Sequence, residues 1–187
     1  MPPPSEVTQL LINWREGDEE ALDRLIPLVY TQLQQLAHAR LRDEQADHTL
    51  NATALVHEVY LRLVQAEQVQ VEGRVHFLAM ASRLMRHILV DYGRKKRAGK
   101  RGGGQQKVEW NEDLLAGADL SVETVLDLDD ALTRLAQIDA RQSQILEHRY
   151  FGGLTADESA VALGVSRATI QREVRKARAW LSLQWDT

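Results

Sequence analysis

Apolar positions in this 187-residue chain recur at three- and four-residue steps over most of its length, and nowhere do they alternate convincingly with polar ones. That period belongs to amphipathic helices, so the pattern predicts an all-α fold. Val7, Leu10, Leu11 and Trp14 form a first stripe that ends near Gly17. Asp18 then caps a long second helix carrying Leu22, Leu25, Ile26, Val29, Leu33, Leu36 and Leu41, with Pro27 inside it as an expected kink or break. After a polar run from Asp43 to His48, a third helix starts near Asn51 and holds Leu55, Val56, Val59 and Leu63. A fourth, from about Arg74 to Lys96, is built on Phe77, Leu78, Ala81, Leu84, Met85, Ile88 and Leu89.

The pattern then lapses. Arg97 to Gln106 holds four glycines and three basic residues, which cannot bury a core and read as a flexible linker reaching to about Leu120. Helical spacing resumes with Val122, Val125, Leu128, Leu132 and Leu135, and continues through Ile145, Leu146, Tyr150 and Phe151. The expected organisation is therefore a helical domain over 1–97, a linker over 98–120 and a second helical domain over 121–187, behaving as tethered beads.

Residues 154–178, LTADESAVALGVSRATIQREVRKAR, spell two short helices around a glycine turn. Thr155 with Glu158 three positions on forms a capping box, and Ala160, Val161 and Leu163 supply the first helix's apolar face. Gly164 provides the permissive backbone just past its end, and Ser166 caps the second helix. On that helix Ile170, Val174, Ala177 and Leu181 share one face, which leaves Arg167, Thr169, Gln171, Arg172, Arg175 and Lys176 on the other. Such donors reach base edges and phosphates when a helix enters a major groove, so the segment reads as a DNA-binding helix-turn-helix.

Charge sharpens this reading. The net charge of -4 argues mildly against nucleic acid, but its distribution does not. Arg83 to Lys107 contains nine Lys and Arg against Asp91 alone, a local 9 - 1 = +8, and Val108 to Asp130 contains eight acids and no base, a local -8. We expect the two runs to pair in the free protein, with Glu109, Glu112, Asp113 and Asp119 masking the basic surface. There is no cysteine, so disulfides and thiolate metal sites are excluded. MPPPSEVTQ does not resemble a leader, and no segment approaches a membrane span, which reads as cytoplasmic with no membrane partner. An enzyme has little support. His57 and Glu58 are adjacent, but Leu61 stands where an HExxH helix needs its second histidine. His38, His48, His76, His87 and His148 show no metal spacing either, so no catalytic residue, metal or cofactor is expected.

The two halves together resemble a bacterial RNA polymerase sigma factor of the extracytoplasmic-function (ECF) type, in the sigma-70 family. The stretch from Asp139 to Leu181 is similar to sigma region 4 throughout, including the RYFGGLT junction, while ALVHEVYLRL resembles region 2.2 and HFLAMASRLMRHILVDYGRKKR resembles regions 2.3 and 2.4. The resemblance implies binding to RNA polymerase core, at its clamp helices and flap, and to promoter DNA in transcription initiation. It places Leu55, Val56, Glu58, Val59 and Arg62 against polymerase. The minus-10 element would meet Phe77, Arg83, Arg86, Tyr92, Arg94, Lys95 and Lys96, with Phe77 and Tyr92 stacking on bases and the loop Glu67 to Arg74 capturing a flipped one. Phe77 fits a buried core position equally well. The minus-35 element would meet Ser166, Arg167, Thr169, Gln171, Arg172, Arg175 and Lys176.

The chain departs from that family pattern at Asn51, Ala52, Thr53 and Ala54, where sigma factors of this type carry acids. Phosphorylation of Thr53 would restore the charge beside a helix N-terminus, with a Ser/Thr kinase as activating partner; an anti-sigma protein is the other form of control the resemblance allows, and plain capping of the helix by Thr53 is the simpler role. A helix-turn-helix regulator that binds an operator without joining polymerase explains 154–178 as well, but not the second basic helix.

Overall fold

A computed structural model describes residues 6–41, 52–65, 73–99 and 122–185, and these residues form eight α-helices. In chain order they are α1 (Glu6–Arg15), α2 (Glu19–Leu41), α3 (Ala52–Val64), α4 (Arg74–Gly99), α5 (Val122–Ile138), α6 (Ala140–Tyr150), α7 (Ala156–Leu163) and α8 (Arg167–Trp185). The all-α expectation holds.

The local signals act as their chemistry requires. The backbone N–H of Ala21 donates to Asp18 Oδ1 at 3.2 Å, which caps α2. Pro27, expected to kink or divide that helix, is carried within one continuous element. It removes one backbone donor, and Leu22, Leu25, Val29 and Leu33, all buried, hold the flanking turns in register. Asp139 caps α6 by accepting from the N–H of Gln142 at 3.0 Å.

α1, α2 and α3 pack in sequence against one another, with α4 lying on α3 and α1. In the second half α5 pairs with α6, and α8 packs across α6 and α7. The halves are not tethered beads. α4 also packs on α5, α6 and α7, and one buried cluster runs from Leu10 through Phe77, Met85 and Leu132 to Leu181. The reason lies in the girth of the apolar surface on α4, where Phe77, Leu78, Ala81, Met85, Ile88, Leu89 and Val90 are all buried. A helix apolar on more than one side belongs between two layers. α4 continues through Ala98 and Gly99, which the linker was expected to include; the rest of that linker, with its acids Glu109, Glu112, Asp113 and Asp119, lies outside the described residues, as does most of the loop Glu67 to Arg74.

Candidate nucleic-acid interface

The helix-turn-helix is built from a few backbone hydrogen bonds. Thr155 Oγ1 accepts from the N–H of Glu158 at 3.2 Å, and the Glu158 carboxylate accepts from the N–H of Thr155 at 2.9 Å, so the expected capping box is complete. Gly164 ends α7 in the left-handed region, at φ 62° and ψ 34°, where its N–H satisfies carbonyls of the last turn. Ser166 Oγ accepts from the N–H of Thr169 at 3.1 Å and opens α8. Beneath lies a small core of Ile145, Ala160 and Ile170, closed over by Leu163, Val165 and Val174. Val161, expected on the apolar face, points outward instead, because the eight-residue α7 buries only Ser159 and Ala160 fully.

α8 divides as its spacing implies. Ile170, Ala177 and Leu181 are buried, while Ser166, Arg167, Gln171, Arg172, Arg175 and Lys176 are exposed and Thr169 is half-buried beside them. Arg167 pairs with Asp157 at 3.1 Å, and Arg172 and Lys176 with Glu173 at 3.2 and 3.3 Å. Gln171 and Arg175 have no ion pair or hydrogen-bonding side-chain partner among the described residues, which leaves their donors presented to solvent. Burial opposes the charge on Glu173, but hydrogen bonds from Arg172, Lys176 and Gln142 outweigh it and hold its carboxyl below the usual range. This anion, which the sequence reading did not single out, orients two cations of the outer face.

α4 is different. Of the residues assigned there to DNA, Phe77 is fully buried, so the core position takes it and it offers no ring to a base. Arg86 is also withdrawn: its side chain is only 12% exposed, with Nε donating to Asp129 Oδ1 at 2.8 Å, Nη1 to Glu147 Oε2 at 2.7 Å, and Nη2 to the Asp129 carbonyl and the Thr133 hydroxyl at 3.2 Å each. Its neighbours on the same face remain at the rim. Arg83 is 56% exposed and 3.5 Å from Glu147, and Arg94 is 63% exposed and 3.2 Å from Asp129. Lys95 is exposed, and Tyr92 is half-buried with Lys96 Nζ 5.9 Å from its ring centre. Asp129 belongs to the acidic run expected to mask the basic one, so part of that pairing is present, made by an acid not singled out from the sequence.

α3 calls for a second correction. Leu55, Val56 and Val59, assigned to polymerase, are buried in the first half's core and cannot form an outer contact. The exposed stripe on this helix is Thr53, His57 and Leu61, four residues apart, with Leu61 51% exposed. Glu58 and Arg62 flank it; Arg62 lies 3.6 Å from Glu58 and 3.1 Å from Asp91 of α4. The period could have found Leu61, since 53, 57 and 61 fall opposite 55, 59 and 63. The first turn of α3 has no acid, as the departure from the family pattern implied.

Among the described residues no helix is long and apolar enough to cross a membrane, and no group of histidine and carboxylate side chains could hold a metal. A family model described as ECF sigma factor matches residues 4–187. No curated protein matches the chain.

Proposed function

The chain belongs to the ECF sigma factor family, and we propose that it joins RNA polymerase core in the cytoplasm and directs it to promoters in two parts. The observation that carries the reading is α8, whose buried face packs into the helix-turn-helix while Arg167, Gln171, Arg172, Arg175 and Lys176 are displayed together on the outside. That face suits a duplex major groove and is assigned to the minus-35 element, with Ser166 and Thr169 at the helix start contacting phosphate. Arg83, Arg94, Lys95, Lys96 and Tyr92 are assigned to the minus-10 element. Polymerase is met by α3 through Thr53, His57, Leu61, Glu58 and Arg62. The family match spans both halves, which a simple operator-binding regulator does not account for.

Thr53 supports a regulated contact. It is exposed in the first turn of α3, which carries no acid, so a phosphate there would sit at the positive end of the helix dipole and restore an acidic face. A Ser/Thr kinase is then the activating partner.

Transcription from a random promoter pool with purified core polymerase tests the reading and reports both elements at once. Comigration with core on a sizing column separates a sigma factor from an operator-binding regulator. Thr53→Glu should strengthen that comigration and Thr53→Ala should not; tight binding by unmodified protein, unaltered in Thr53→Ala, would remove the phosphate switch.

A further inference from the structure

We propose that the seam between α4 and α5–α6 is a latch, in which Asp129 and Glu147 occupy the arginines of α4 in place of DNA phosphates until α4 meets nucleic acid. The inference rests on the assignment of α4 to the minus-10 element.

Two carboxylates on the second half serve three arginines on the first. Glu147 accepts from Arg86 at 2.7 Å and lies 3.5 Å from Arg83, while Asp129 accepts from Arg86 at 2.8 Å and from Arg94 at 3.2 Å. Carboxylate and phosphate offer guanidinium the same paired anionic acceptors, so one can displace the other. The approach behind these pairs is close. Gly152 lies so near α4 that an added Cβ would stand 2.6 Å from Ser82 Cβ, a distance real side chains do not adopt, so the seam closes to backbone contact where a glycine allows it. Alongside the contact runs an unfilled groove lined by His76, Met80, Arg83, Gln144 and His148. The acidic face of α5 continues alongside, where Asp130 lines one cavity together with Arg94 and Arg97 of α4.

The arrangement also has a graded order of release. Arg83 and Arg94 are more than half exposed, so incoming phosphates compete for them first, and only then is buried Arg86 reached. A buried ion-pair network adds little net stability over its separated, solvated parts, so what incoming nucleic acid must chiefly offset is the apolar contact of α4 with α5 and α6.

The chain has no cysteine, so Gln65→Cys just past the end of α3 and Gln137→Cys on α5, both exposed, accept a fluorescence energy-transfer pair that reads the separation of the halves in the full-length protein. Three versions are compared: the labelled parent, the double variant Asp129→Asn with Glu147→Gln, and Ser82→Leu, which wedges the seam without altering charge. Circular dichroism confirms that each is folded. Each is then titrated with a fluorescein-labelled single-stranded oligonucleotide across a salt series. The latch predicts efficient transfer in the parent and lower transfer in both variants. It also predicts several-fold tighter oligonucleotide binding by both variants at each salt concentration, with a log-affinity against log-salt slope close to the parent's, since the arginines reach the same phosphates in the complex but no longer have to leave Asp129 and Glu147 first. Low transfer in the parent overturns the latch, as do variants that stay closed. Opening with unchanged oligonucleotide affinity overturns it too; if such a protein still drives promoter-specific transcription with core, the failure belongs to the latch and the proposed function stands.

Discussion

Arg86 Nη1 and Glu147 Oε2 lie 2.7 Å apart across the boundary between α4 and α6, with 12% and 6% of their side chains exposed. One charge from each half of the protein is thus withdrawn from water against the other, and the second acid, Asp129, completes the arrangement on the opposite side of the guanidinium.

Removing Arg86 strands both acids. A buried ion pair that loses one partner costs about 3–5 kcal/mol if the remaining charge stays buried, and the seam can relieve that cost by opening. Arg86→Leu should therefore keep its far-ultraviolet helical signal while its radius of gyration rises in small-angle scattering. Adding Asp129→Asn and Glu147→Gln to Arg86→Leu should return the radius toward the parent's value. A compact Arg86→Leu single variant would show that the network does not hold the halves together.

Thr155→Ala removes the acceptor of the capping box at α7. The expected loss is about 1 kcal/mol, read by urea denaturation, with hydrogen exchange rising first at the amide of Glu158. Glu158→Ala should reproduce part of the effect by releasing the N–H of Thr155.

His148 should make the second half acid-sensitive. Its burial pushes the imidazole pKa from 6.5 down to about 4, aided by Arg83 and opposed by Glu147, and Nδ1 has no hydrogen-bond partner among the described residues. Unfolding raises the pKa, so the unfolded chain binds the extra proton between about pH 6.5 and 4, and stability falls as pH drops through that window. Its full extent is roughly 3 kcal/mol. Chemical denaturation at successive pH values should show the decline, and His148→Gln should flatten it; a parent protein equally stable at both ends of the window would remove His148 as its cause.

On α8, Arg175→Ala should weaken promoter binding by about 1–3 kcal/mol if the side chain meets guanine, with the loss confined to promoters carrying that base. Arg172→Ala should lose less, because Arg172 must leave Glu173 to reach DNA. Competition binding on single-base promoter variants separates base readout from a phosphate contact, which would weaken every sequence alike.

The signals that the sequence alone determined are local ones. The capping box at Thr155, the left-handed glycine at 164, the Asp18 cap and the outward basic row of α8 depend on residues within a few positions of one another, and each is present. What no helical period reports is what a face will meet. Arg83, Arg86 and Arg94 lie on one side of α4 and read as a single phosphate row, yet contact with α5 and α6 buries the middle one and leaves the others at the rim. Leu55, Val56 and Val59 were legible as apolar, while the choice between core and partner waited for α3 to pack, as the choice between core and base stacking did for Phe77. The tertiary structure decided these because the partners come from distant sequence: Asp129 and Glu147 lie 43 and 61 residues from Arg86, beyond the reach of any pattern along one helix.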